Sequence, residues 1–250
     1  MNKNKWLEPA KKVGVLLFWL AAWQGLAMWA NHGLLFQLPT PLSTAGALVT
    51  LAGKAELYQS AGLSLLRIAI GYAAAVVVGI VGALIARRFS VFDRLTRPLL
   101  NAVRAVPVAS FIVLVFLWFA AEVIPVLISF LMVLPIVWQN TRTAIDQIDT
   151  RLVEMAGVMN LKKSKIWRYI IWPAVLPTLS AALTTGLGFA WKAGVSAEVI
   201  CRTVPSLGNM LWASKNALAY DEVFATTAVI VIFSMILEWV VRALVRRGNQ

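Results

Sequence analysis

Apolar residues run along the chain in six long stretches, separated by short polar or charged segments. The stretches cover 13–30, 63–86, 99–119, 123–139, 175–195 and 223–244. Each is close to the roughly 17–25 residues a helix needs to cross a bilayer. The pattern predicts an all-α, polytopic membrane protein with about six transmembrane helices. Pro107 and Pro125 fall inside the third stretch and at the start of the fourth. Such breaks survive in a membrane when neighbouring helices satisfy the freed backbone groups. Between the first two stretches lies LPTPLSTAGALVTLAGKAELYQSA, where Pro39 and Pro41 impose a rigid, extended lead-in. Ser43 is a candidate cap for a short helix with Ala45, Leu48, Val49 and Ala52 on one face, lying at the outer interface. In the second stretch Gly71, Ala75, Gly79 and Ala83 form a small-residue stripe that lets another helix approach.

Composition excludes a soluble domain: 60% of residues are hydrophobic, mean hydropathy is +0.77 and only 14% are charged. A net charge of +12 would suggest nucleic acid on a soluble protein, but here it sets topology. With the N-terminus placed in the cytoplasm, most Lys and Arg fall inside, and only Lys54, Arg202 and Lys215 fall outside. Both termini are therefore expected in the cytoplasm of a bacterial cell, flanking a multi-pass plasma-membrane domain. The expected divisions are a cytoplasmic N-terminus over 1–12, a transmembrane domain over 13–245 with a cytoplasmic loop over 141–174, and a tail over 246–250. Trp29, Trp118, Trp138 and Trp239 suit the half-wet ends of spans. One cysteine, Cys201, excludes an internal disulfide, and one histidine, His32, excludes Cys/His metal spacing. The basic start followed by an apolar run reads as a retained first span, since no small-residue cleavage site is convincing.

The loop after the fourth stretch is unusual. VEMAGVMNLKKSKIWRYIIWP, residues 153–173, reads as helix, turn, helix. Glu154 suits the positive end of a helix, and Ala156 permits close packing. Asn160 accepts a left-handed backbone and so turns the chain. A second helix follows, with Ile166, Tyr169 and Ile170 on one side, and Pro173 breaks or kinks the path into the fifth stretch.

These residues resemble the cytoplasmic motif of binding-protein-dependent ABC transporter permeases: E-A-A, three residues, Gly, nine residues, I-x-L-P. The motif falls without a gap on Glu154, Met155, Ala156, Asn160, Ile170, Trp172 and Pro173, with Gly157 and Leu161 between its fixed positions. Met155, Asn160 and Trp172 depart from it. LPTPLSTAGALV, SLLRIAIGYAAAVVVGIVGALIARR, RPLLNAVRAVPVASFIVLVFLWF and WKAGVSAEVI extend the resemblance to the nitrate/sulfonate/taurine group. The resemblance implies a type I importer fold, in which this loop is a coupling helix seated in a cytoplasmic ATPase. It implies two ATPase subunits, an external substrate-binding protein and a second permease copy, a homodimer given one motif per chain. It implies no cofactor in this chain, with ATP and Mg held by the partner. The chain lacks G-x-x-x-x-G-K-[ST], so hydrolysis resides elsewhere and the chain is not itself an enzyme. The substrate class implied is a small organic or inorganic anion such as a sulfonate or nitrate, within a group that also spans bicarbonate-type anions and uncharged vitamin precursors.

Arg67, Lys192 and Glu198 cost at least ~2.5 kcal/mol each if exposed to hydrocarbon. Glu198 is expected to pair with Arg67, which leaves Lys192 either to face a translocation path or to snorkel beside a purely structural ion pair. Glu238 and Arg242 are an i,i+4 pair that requires no functional role. The alternatives are an ion-coupled secondary transporter or channel working alone, which usually carries an internal repeat, and a membrane enzyme, which needs a cluster of His, Asp, Glu or Cys at one depth. Neither feature stands out in this sequence.

Overall fold

The computed structural model describes residues 4–32 and 37–248. Lys3 and residues 249–250 of the expected cytoplasmic ends lie outside the described residues, as do the side chains of Lys5, Lys12, Arg246 and Arg247. All regular elements described are helical: α1 (Asn4–Asn31), α2 (Pro41–Ala52), α3 (Ala55–Arg88), α4 (Ser90–Ala105), α5 (Val108–Phe116), α6 (Ile124–Asp146), α7 (Thr150–Val158), α8 (Lys163–Ile166), a π-helical turn (Trp167–Ile171), α9 (Trp172–Cys201), α10 (Leu207–Asn216) and α11 (Tyr220–Gly248). Among the described residues five helical stretches are long and apolar enough to cross a membrane, and six if α4 and α5 count as one bent span. The chain forms two compact units, one of Met1–Tyr58 and Met210–Ile230, the other of Gln59–Asn209 and Val231–Gln250.

In the first unit, Trp23 Nε1 donates to the Pro39 carbonyl (3.1 Å), and the Asn31 amide brackets both backbone groups of Leu38. The cap of α2 is Thr40 rather than Ser43: Pro41 occupies the first turn, where its missing N–H is harmless, and this places the cap three residues upstream of Ser43. Ser43 closes a capping box, its hydroxyl accepting from the Thr40 N–H while Thr40 Oγ1 accepts from the Ser43 N–H. Thr44 and Leu51 are buried, while Ala45, Val49 and Ala52 face outward. Trp23 stacks on Phe224, and Asp221 accepts from Ser43 Oγ at 2.7 Å.

In the second unit, α6 and α9 pack along each other and carry most of the buried residues. Ile112 and Val115 of α5 join Ile124 and Ile128 of α6 and Ala193, Ala197 and Cys201 of α9 in one apolar cluster. The stripe on α3 packs against α6: a Cβ on Gly71 would sit 2.3 Å from the Val126 carbonyl, and one on Gly79 would sit 2.9 Å from Val137. Ala75 and Ala83 are fully buried between them. The stripe is thus a close-packing device.

Proline acts differently at each break. Val106 is extended, as a residue before proline tends to be, and α4 meets α5 at 105° around Pro107. The expected third span, 99–119, is therefore not one straight helix. Pro125 sits in the first turn of α6, and Pro135 is carried through its interior. Pro173 does not break the path: helix runs unbroken over Lys163–Cys201, with the π turn placed just before Pro173. α6 extends to Asp146, and within the cytoplasmic loop expected over 141–174 the breaks between helices lie between Asp146 and Lys163.

Candidate functional site

The segment between α6 and α8 is held by local capping. Asp149 caps α7, its carboxylate accepting from the Arg151 N–H at 2.9 Å. Glu154 consequently lies in the second turn, not near the helix start as the sequence suggested. Asn160 has φ 53°, the left-handed conformation expected of it. The Leu161 N–H reaches back to the Ala156 carbonyl (3.0 Å) and closes the helix end. Ala156 is 1% exposed and faces inward. Met155, Val158 and Met159 project outward, at 53%, 84% and 64% exposure. Their i, i+3, i+4 spacing puts them on one face. Glu154, Gly157 and Asn160 are exposed beside them.

Behind α7 lies a cavity of about 590 Å³ with a mainly apolar wall, bounded by Ile148, Val153 and Glu154 on one side and by Trp167, Ile171 and Trp172 on the other. Trp167 and Trp172 stack at 5.6 Å between ring centres across the π turn. Because a π turn closes i→i+5 bonds, it shifts the phase of the helix. Ile166 and Ile170 are half-buried, but Tyr169, expected on the same side, is 70% exposed. Pro173 is exposed in the first turn of α9.

The opposite end of α9 is a buried polar cluster. Glu198 is fully buried; its Oε2 accepts from Ser64 Oγ (2.8 Å) and from the Gly208 N–H (3.2 Å). Ser64 Oγ also accepts from the Leu207 N–H at 3.0 Å. Arg67 does not form the expected ion pair with Glu198. Its Nη1 donates instead to the Pro205 carbonyl at 2.7 Å, within the turn that follows α9. Arg202 takes a left-handed conformation (φ 52°) to start that turn, and the Val204–Pro205 bond is cis. Arg67 and Glu198 thus share one cluster, and Lys192 is exposed elsewhere on α9.

A third polar node, not anticipated from the sequence, joins α4 to α6. Buried Asp93 accepts from Arg97 at 2.8 Å and pairs with Arg142. The only sequence signal was one acid, Asp93, set in a run of arginines from 87 to 104. Glu238 and Arg242 pair at 3.1 Å on α11 as expected. Cys201 packs in the apolar cluster as a small filler. Among the described residues no group of His, Cys, Asp or Glu is placed to hold a metal.

The family described as binding-protein-dependent transport system inner membrane component matches residues 75–249. The chain belongs to this family. It is a multi-pass inner-membrane protein and the permease subunit of an ATP-driven importer, with hydrolysis in a separate ATPase subunit. The family implies that ATPase partner and a substrate-binding protein. The chain is 29% identical to the taurine transport system permease protein TauC of Escherichia coli, over 98% of this chain and 93% of that protein. It is 27% identical to the nitrate import permease protein NrtB of a Synechocystis species, over 70% of this chain and 64% of that protein. An inward-facing structure of the MetNI methionine ABC transporter matches with a TM-score of 0.62 at 15% identity, covering 78% of this chain and 97% of the matched chain, and so supports the fold. The family assignment removes the ATPase-independent transporter and the membrane enzyme as readings of this permease.

Proposed function

We propose that this permease imports a small oxyanion of the sulfonate or nitrate class, and that α7 with its Asn160 turn is the element through which the ATPase drives it. The observation that carries the coupling reading is the outward apolar ridge of Met155, Val158 and Met159 on a helix capped at both ends. An exposed apolar ridge on a rigid helix is suited to a protein cleft. Glu154, Gly157, Asn160 and Leu161 complete the docking surface. Ala156, Ile170 and Pro173 hold its backing against the following helix. The stacked Trp167 and Trp172 and the cavity behind α7 give the element room to shift against the bundle. The substrate class rests on the taurine and nitrate permeases that the chain resembles.

On this reading both termini are cytoplasmic, two copies of the permease form the pathway, and ATP and Mg bind in the partner. Arg67 and Glu198 hold the turn after α9 through separate partners, the Pro205 carbonyl and the Gly208 N–H. Lys192, exposed on the same helix, is the path-facing candidate. The test is ATP-driven uptake of radiolabelled taurine and nitrate into proteoliposomes holding permease, ATPase and binding protein, with Met155→Asp/Val158→Asp as the comparison. The reading predicts uptake of at least one anion, abolished in the double variant while the permease remains folded. Uptake that persists in the double variant would remove α7 from the coupling role. Failure to move either anion, with ATPase activity still dependent on the permease, would overturn the substrate class alone.

A further inference from the structure

At the end of α6 that leads into α7, α4 and α6 line an open polar cavity of about 360 Å³. Arg97, Arg104 and Arg142 line it, together with Asn101, Gln139 and Thr143. The one carboxylate in its lining, Asp146, is already held by Arg87 at 2.9 Å. The three guanidinium groups are fixed from behind. Asp93, 8% exposed, accepts from Arg97 and pairs with Arg142. The Pro135 carbonyl accepts from Arg104 Nη2 at 3.1 Å. Stacking of Phe92 on Trp138 sets the two helices against each other. A guanidinium has five N–H donors in a planar fork. Each of these three uses one of its terminal nitrogens in the contacts above, among the described residues, and keeps donors for the cavity. Four arginines around two aspartates leave the node two positive charges in excess.

We infer that this cavity is an oxyanion-binding site, taking one sulfonate, sulfate or phosphate-class group between Arg97, Arg104 and Arg142, with the side-chain amides of Asn101 and Gln139 as further donors. A structural node alone needs only enough arginine to neutralise Asp93, which Arg97 and Arg142 already exceed; Arg104 is then left to a backbone carbonyl at the rim of a polar space large enough for a small oxyanion. Forked donors converging from two helices match the several acceptor oxygens of such a group and bind it more strongly than neutral hydrogen bonds do. The anion comes either from solution or from the headgroup of an anionic lipid, since the chemistry is shared. Its place in an import cycle rests on the function proposed above; the binding does not.

The test uses the full chain in nanodiscs of purely zwitterionic lipid, with radiolabelled sulfate as probe, alongside nanodiscs containing phosphatidylglycerol in which thermal stability is followed. Wild type is expected to bind one sulfate per chain saturably. Arg104→Gln is expected to weaken binding roughly tenfold or more, as loss of a charge-assisted hydrogen bond does, and Arg104→Lys to restore part of it. If Arg142→Gln fails to fold because Asp93 loses its partner, Arg104→Gln still decides the matter, since its contact is a single carbonyl. No sulfate binding, combined with a phosphatidylglycerol-dependent gain in stability that Arg104→Gln removes, assigns the site to the lipid headgroup. Sulfate binding unchanged in Arg104→Gln, or neither sulfate binding nor a lipid effect, overturns the site. Permease-dependent ATPase activity, read in the same nanodiscs with the partner added, reports separately on the import reading.

Discussion

The two ends of α9 are built on opposite principles. At its C-terminal end, fully buried Glu198 accepts through Oε2 from Ser64 and Gly208, while Arg67 donates to the Pro205 carbonyl and Glu198 Oε1 has no hydrogen-bond partner among the described residues. Before its N-terminus, α7 is held by its own caps, buries mainly Ala156 and presents three apolar side chains outward. Buried hydrogen bonds between distant segments tie a turn in place, while regions with few buried contacts open easily and are the ones recruited for movement. On the coupling reading proposed above, the first end is a fixed point and the second a handle.

Substitutions separate the two ends by the size of their effect on stability. Glu198→Ala leaves the Ser64 and Gly208 donors buried without their acceptor and opens a cavity, so unfolding in nanodiscs should lose roughly 2–4 kcal/mol. Glu198→Gln keeps an acceptor oxygen and should lose much less; equal losses would mean that charge, not hydrogen bonding, holds the turn. Gly208→Ala should cost about 1–3 kcal/mol by overpacking, because its Cβ would lie 2.4 Å from Glu198 Cβ. Asn160→Val forces a β-branched side chain into a left-handed backbone and should cost about 1–2 kcal/mol. Hydrogen exchange should confine that loss to residues 153–162, and Asn160→Gly should show none. Val158→Ser, at a side chain 84% exposed, should change unfolding by only about 0.5 kcal/mol or less. A large loss there would mean that the ridge is packed and the contrast between the ends is false.

What the sequence showed and hid follows the range of the interactions. The spans were legible because hydrocarbon demands continuous apolar runs. The Asn160 turn was legible because left-handed tolerance belongs to the residue itself. Local chemistry a few positions away was harder: Pro41 set the cap at Thr40, three residues before Ser43, and the π turn rotated Tyr169 outward. Partners distant in sequence were not legible. Arg67 was expected on Glu198, yet the left-handed turn at Arg202 brings the Pro205 carbonyl to it. Asp93 finds Arg142 only once α4 folds back beside α6. For the candidate site, motif spacing located α7, but only the fold shows which side of it faces outward.

The most direct test of the account is ATPase activity of the permease assembled with its ATPase and binding protein in nanodiscs, comparing wild type, Met155→Asp/Val158→Asp and Glu198→Gln. The account predicts that binding-protein stimulation is lost in the α7 variant, with its unfolding unchanged, and is retained in Glu198→Gln. Stimulation that survives in the α7 variant and fails in Glu198→Gln would contradict it, and would move the coupling function to the end of α9 assigned here as the fixed point.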